Sequence, residues 1–259
     1  MTRRCFFVPE IVTGTRTFDL PPALSRQLEA VLRAKAGDPI ELIDGRGSTW
    51  EGLITGIRRG RVSVSLIGRV DRPSRESPLA VTLAMGIARP DTMDLIVRQA
   101  TEMGVLRLAV FRGVRSQYGL DCKSADKKED RWSRIASEAM CQCGRTKTLE
   151  IKFFDDLSHL IAWSKNEESE MQQALRIFAM EREPRKGLLS LRSAIGSDID
   201  RLLAVFGPEG GWDNTESSMA IEAGFTPVSL GPRTLRLETA VIALISSVQL
   251  LWGDMGAGP

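Results

Sequence analysis

The chain is 259 residues long, 42% hydrophobic and 26% charged, with a formal net charge of +2. That composition suits one large or two modest folded domains and excludes a low-complexity or strongly charged disordered chain. No run of about 18 apolar residues occurs, and residues 1–7 lack the apolar stretch of a secretory signal. Neither a membrane span nor export is expected, and the cytoplasm is the expected location.

Residues 1–72 read as short strands, turns and one helix. Cys5-Phe6-Phe7-Val8 is a β-prone run. Pro21-Pro22 precedes an amphipathic helix whose stripe, Leu24, Leu28, Val31 and Leu32, stops before Gly37. Strands are expected over 39–43, 50–57 and 61–67, with a turn at Asp44-Gly45-Arg46-Gly47. In the last of these strands Val62, Val64 and Leu66 alternate with Ser63 and Ser65. Several short strands and one helix predict a small β-barrel domain over 1–72, and the polar, proline-bearing residues 73–78 are expected as a linker.

From 79 to 259 strands and helices alternate. Strands are expected over 79–85, 106–111, 151–154, 175–180, 202–206 and 226–229. One helix is expected to be capped by Asp91 and to end at Gly104; another carries Trp132, Ile135, Ala136, Ala139 and Met140 and closes at Gly144. A helix over 157–163 follows. Asp213 with Glu216 three residues on predicts a capping box for a helix ending before Gly224. The last helix (Val241, Ile242, Leu244, Ile245, Val248) is apolar enough to be buried on most sides. This alternation predicts an α/β domain with a parallel sheet covered on both faces. Ligands of such sheets sit beyond the carboxyl ends of the strands, which selects the segments after Met180, Phe206 and Leu230.

Gly207-Pro208-Glu209-Gly210-Gly211-Trp212 follows the strand ending at Phe206. Glycines permit positive φ and close approach of a ligand to backbone, although a bare strand-to-helix turn is the alternative reading. The spacing fits neither a dinucleotide fingerprint nor a P-loop. Beyond Leu230-Gly231-Pro232, the charged Arg233, Arg236 and Glu238 lie just ahead of the apolar helix, and charges beside a buried helix must be paired or functional. The four cysteines (Cys5, Cys122, Cys141, Cys143) offer a single C-x-C, and His159 is the one histidine. No metal site, disulfide or histidine-activated nucleophile is therefore expected. Residues 1–72 hold 12 Lys/Arg against 8 Asp/Glu, and residues 107–152 hold 11 against 6. Two basic regions in a near-neutral chain match a phosphate-tracking surface, with solvated helix faces as the alternative.

The motifs Gly207-Pro208-Glu209-Gly210-Gly211-Trp212 and Leu230-Gly231-Pro232-Arg233-Thr234-Leu235-Arg236-Leu237-Glu238-Thr239-Ala240 resemble those of the SPOUT RNA methyltransferases of RsmE type. Members of that type methylate N3 of a uridine in small-subunit (16S) ribosomal RNA. Gln99-Ala100-Thr101-Glu102-Met103-Gly104, Arg115-Ser116-Gln117 and the run from Arg131 to Arg145 extend the resemblance upstream. Gln27, Leu149 and the residue ahead of Met93 depart from the family pattern, which usually has histidine, proline and lysine there.

The resemblance implies a PUA-like RNA-binding barrel followed by a knotted α/β domain, a homodimer, and S-adenosyl-L-methionine as cofactor. It assigns the cofactor to three loops: Met180 and Glu181; Gly207, Pro208, Glu209, Gly210 and Gly211; and Leu230, Gly231, Leu235 and Arg236. Arg236, with Arg233, is the expected stabiliser of the uridine anion, and Glu238 is an orienting partner or a base. Arg3, Arg4, Arg33, Arg115, Arg131, Arg134 and Arg145 are the expected RNA contacts, on 16S rRNA within the assembled small subunit. A SPOUT enzyme acting on another RNA, such as tRNA, and a non-catalytic RNA-binding protein are the competing readings.

Overall fold

Two sheets, one mixed and one wholly parallel, organise the protein. The computed structural model describes residues 5–11, 16–120, 122–166, 173–181 and 187–256. Its contacts group Met1–Glu76 with Ser137–Thr148 as one unit, and Ser77–Ala136 with Leu149–Pro259 as the other.

The first unit contains β1 (Cys5–Phe7), β2 (Thr17–Asp19), α1 (Pro22–Arg26), β3 (Pro39–Ile43), β4 (Thr49–Arg58) and β5 (Arg61–Val70). The five strands lie in the order β1-β3-β4-β5-β2. The β1–β3 pair is parallel and the other three pairs are antiparallel. Arg59 and Gly60, both at positive φ (49° and 76°), make the two-residue turn between β4 and β5, as the twist of a tight hairpin demands. Register shifts at Glu51/Gly52 and Ile54/Gly56 bend the long pair. Phe6, Val8, Leu20, Leu28, Ile40, Leu42, Ile54, Val62 and Val64 form the core. Ser25 is fully buried and satisfied: its hydroxyl donates to the Leu20 carbonyl (3.1 Å) and accepts from the Val62 N–H (3.2 Å).

The helical stripe of this unit departs from expectation. After α1 the chain widens into a π-helical turn, Gln27–Val31, in which the Leu32 N–H donates to the carbonyl of Gln27, five residues back (3.0 Å). That extra residue per turn rotates Val31 away from Leu28, and Val31 is 72% exposed. The domain boundary is also less simple than a linker at 73–78. The Glu76 carboxylate accepts the N–H groups of Thr146 (2.7 Å) and Lys147 (3.0 Å) and pairs with Arg145 (2.8 Å).

The second unit contains β6 (Ala80–Gly86), α2 (Pro90–Glu102), β7 (Arg107–Phe111), α3 (Cys122–Cys143, as far as Ala136), β8 (Glu150–Phe154) and α4 (Leu157–Lys165). It continues with β9 (Leu175–Ala179), α5 (Leu188–Ile195), β10 (Arg201–Phe206), α6 (Asn214–Glu222), β11 (Thr226–Val228) and α7 (Leu237–Trp252). The six-stranded sheet has the order β11-β9-β10-β6-β7-β8, every pair parallel. Both faces are covered, as the near-continuous apolar strands require. Val81, Leu83 and Met85 of β6, with Leu202, Ala204 and Phe206 of β10, join α2, α5 and α7 in one core. Ala84, Ala109, Phe111, Leu203 and Val205 point the other way, to α4 and α6.

Three details differ from the sequence reading. Arg89, not Asp91, occupies the N-cap of α2; Pro90 sets the first turn, and Asp91 sits within it, where a negative charge favours the helix dipole. The short β2 and α5 were not anticipated, because neither carries a long periodic pattern. Helix α7 is less enclosed than its apolarity suggests, since Leu250 is 60% exposed. Its buried Gln249 is satisfied by the Ser77 hydroxyl (2.8 Å) and the Met103 carbonyl (2.9 Å). Among the described residues no helix is long and apolar enough to cross a membrane.

Candidate active site

Because the strands of the second sheet are parallel, their carboxyl ends share one edge. Chain order runs outward from β6 through β7 to β8, then resumes on the other side with β9, β10 and β11. The reversal between β6 and β10 is the topological switch point where such sheets bind ligands. The loops after β9, β10 and β11, picked out from sequence, follow three neighbouring strands there.

The loops are tied to one another. The Met180 N–H donates to the Val228 carbonyl (2.9 Å), which holds the end of β9 to the end of β11. The Trp212 indole N–H donates to the Ala179 carbonyl (2.8 Å), and its ring packs on Phe178 at 4.3 Å between centroids. Pro208 is buried against β6: a Cβ on Gly86 would lie 2.6 Å from the Pro208 nitrogen. Glu209 is exposed, 3.4 Å from Arg89, and accepts from the Thr92 hydroxyl (3.3 Å).

The glycines of this motif have intramolecular reasons. A side chain on Gly207 would meet the Trp212 ring at 3.0 Å, and one on Gly210 would meet the Arg115 carbonyl oxygen at 2.7 Å. Gly211 has φ +75°. The fold therefore favours glycine at all three positions whether or not a ligand approaches, most firmly at Gly210 where the contact is backbone, and the bare-turn reading carries more of the motif than expected. Gly231, in the third loop, is different: φ is +111° and nothing lies within 4 Å of its missing side chain.

The third loop leads into α7. Leu230 and Leu235 are half-buried, Arg233 and Arg236 are exposed, and Glu238 is half-buried. Arg236 is the N-cap residue of α7, with no side-chain cap bond. Among the described residues neither arginine forms an ion pair, and Glu238 pairs with neither. Since both guanidinium groups face solvent, burial does not oblige them to find a partner, and only their position ahead of α7 ties them to the site. Glu181 is exposed at the end of the first loop.

A family model described as an RNA methyltransferase domain matches residues 75–249, and one described as an RNA methyltransferase PUA domain matches residues 30–67. The ribosomal RNA small subunit methyltransferase E of Bacillus subtilis is 30% identical over 246 residues, covering 92% of this chain and 93% of that protein. The chain belongs to the ribosomal RNA small subunit methyltransferase E family. The Synechocystis relative is 31% identical over 97% of this chain and 78% of its own length. The methyltransferase E of Neisseria gonorrhoeae, solved with S-adenosyl methionine bound, superposes with TM-score 0.84 at 30% identity, covering 98% of this chain and 99% of that one. A Legionella pneumophila protein solved with its cofactor SAM gives TM-score 0.87 at 25% identity, covering 98% of this chain and 100% of that one.

The match to the methyltransferase model takes in most of the second unit and also Ser137–Thr148 of the first, and the match to the PUA model lies within the first. The arginines assigned to RNA fare unevenly on this methyltransferase. Arg3 and Arg4 lie outside the described residues. Arg33 is exposed, with φ +49°, just past the π-helical turn. Arg115 and Arg134 are exposed, and Arg131 is half-exposed while its Nε lies 2.9 and 3.0 Å from the two oxygens of Asp94. Arg145 is a correction: it is 3% exposed and committed to Glu76, so it is not open to a phosphate. Arg107, part of the same basic surplus, is likewise buried, paired with Glu150 and stacked 5.4 Å from the Trp163 ring. The surplus over 107–152 therefore overstates the surface charge.

Proposed function

We propose that the chain transfers a methyl group from S-adenosyl-L-methionine to N3 of a uridine in 16S rRNA, in the cytoplasm, acting as a homodimer on the assembled small subunit. One observation carries the reading of the site: the three loops bearing the family motifs follow β11, β9 and β10, three adjacent strands beside the switch point. The residues present suit the cofactor. Met180, Leu230 and Leu235 offer half-buried apolar contact for adenine and the methionine chain, and Gly231 leaves backbone open on its free side. The trefoil knot of the SPOUT class belongs to the same proposal, supported by the parallel order and the late arrival of β11 and α7.

When bound, the cofactor supplies a methyl group on a sulfonium, electrophilic and in need of an aligned nucleophile. N3 of uridine is protonated at neutral pH, so its proton must leave and the charge spreading to O2 and O4 must be stabilised. Arg236, a permanent cation at the head of α7, is assigned that stabilisation, with Arg233 beside it in the loop. Arginine keeps its protons and cannot itself be the base; Glu238, half-buried in the first turn of α7, orients the site or accepts the proton.

Arg236→Ala is expected to lower kcat about 10²-fold or more, the usual effect of removing one such donor, while calorimetry still detects S-adenosylmethionine binding. Near-normal turnover would sink the assignment. The reading as a whole is tested with small subunits from a strain lacking its own enzyme. Labelled methyl incorporation followed by nucleoside mass spectrometry should give 3-methyluridine in 16S rRNA. Label in tRNA alone, or cofactor binding with no transfer to any RNA, would replace it.

A further inference from the structure

The loop after β7, residues 112–117, is built into the segment 207–216. Glu216, 4% exposed, uses its two carboxylate oxygens for separate backbone N–H groups: Val114 at 3.0 Å and Asp213 at 3.1 Å. A side chain on Gly113 would press the Pro208 ring at 3.0 Å, and one on Gly210 the Arg115 carbonyl oxygen at 2.7 Å. Arg115 reaches to 3.6 Å from the Asp213 carboxylate. Within the loop, the Gly113 N–H donates to the Ser116 hydroxyl and the Ser116 N–H to the Gly113 carbonyl, both at 3.0 Å.

The capping box accounts for one of the two Glu216 bonds. The other reaches 102 residues back in sequence and has no role in starting α6. A buried carboxylate satisfied only by backbone donors fixes backbone, since a charged acceptor unpartnered in the interior would be costly. The loop so fixed presents Arg112, Arg115 and Gln117 to solvent beside the Gly207–Gly211 turn. Among the described residues Arg112 has no acidic partner. Two guanidinium groups on a stiff loop match phosphate oxygens in shape and charge, and phosphate contacts set the register of a nucleic acid.

We propose that loop 112–117 is the phosphate-binding wall for the RNA strand flanking the target base, with Arg112 and Arg115 as its contacts, and that Glu216 is the positioning residue that sets this wall against the cofactor loop. The proposal rests on the reading above that residues 207–211 face the cofactor.

The test uses the full chain, small subunits as substrate, and separate calorimetry with S-adenosylmethionine. Arg112→Ala should raise KM for subunits about tenfold and lower the salt slope of log kcat/KM by about 1, leaving cofactor affinity within about twofold. Glu216→Gln keeps the shape but turns an amide N–H₂ toward one of the two N–H groups. It should raise KM for subunits with little change in cofactor affinity, and in its background Arg112→Ala should add less than about twofold, the signature of a shared unit. If the glutamine variant fails to fold, Gly113→Ala, which pushes the loop off Pro208, should reproduce the KM effect.

An Arg112→Ala enzyme with unchanged KM and salt slope overturns the phosphate wall. A loss of cofactor affinity in Glu216→Gln as large as its rise in KM, or fully multiplicative effects in the double variant, overturns the positioning role. Wild-type protein that binds no S-adenosylmethionine would instead overturn the underlying reading of the site.

Discussion

Arg145 and Glu76 make one ion pair almost out of solvent, at 3% and 11% side-chain exposure. Removing one partner strands the other, a loss of about 3–5 kcal/mol for a buried pair. Glu76→Gln is therefore expected to shift the urea midpoint strongly downward at pH 7. The carboxyl of Glu76 titrates below its ordinary value: burial pushes it up, but the Thr146 N–H and the Arg145 charge outweigh burial. A lowered folded value means that the pair's stabilisation is present above about 4.5, the ordinary value, and drains away as pH falls through the folded one. Denaturation curves from pH 7 to pH 3 should fall more steeply for wild type than for Glu76→Gln; parallel curves would refute this. The sequence hid the pair because its members are 69 residues apart, and Arg145 stands in a local run that reads as an exposed basic segment. The Asp213–Glu216 cap was legible for the opposite reason: its chemistry is complete within four residues.

At the scale of elements, most strands and helices could be read because each carries its own period or its own stop. Gly104 and Gly144 take positive φ, 78° and 82°, where helices α2 and α3 were expected to end. What escaped was structure set by neighbours. The π-helical turn after α1 has no residue that announces it, and β2 is three residues whose pairing comes from β5. The glycines show the same division. Gly86→Ala and Gly210→Ala each place a methyl against backbone, at 2.6 Å from the Pro208 nitrogen and 2.7 Å from the Arg115 oxygen, with no flexible side chain to yield. Each is expected to cost about 1–3 kcal/mol, the range for overpacking, and to weaken S-adenosylmethionine binding in calorimetry. Gly56→Ala, with nothing within 4 Å, is the control and should bind normally. Loss of binding in the control would show that glycine as such, not the contact, is at issue.

For the whole molecule, the α/β class and parallel sheet followed from the alternation of strands and helices. The division into units did not, because Ser137–Thr148 returns to the first unit after an excursion of sixty residues through the second. A fragment ending at Glu76 would lack Arg145, Thr146 and Lys147, the partners of its last carboxylate. Such a fragment is expected to give a poorly dispersed amide spectrum and no cooperative melt, whereas one cut at a true linker would fold alone; a sharp melt would disprove this. The order of the parallel sheet also bears on how the protein is made. Strand β6 has β7 as one neighbour and β10 as the other, and β10 ends at Phe206. At about 5–20 residues per second, β6 leaves the ribosome on the order of ten seconds before β10 exists. Through that interval one edge of β6 is open and Val81, Leu83 and Met85 lack the cover of α7, the last helix synthesised. The nascent chain thus waits with a central strand half-paired, and slower elongation is expected to lower the yield of active enzyme, which expression at reduced elongation rate would measure.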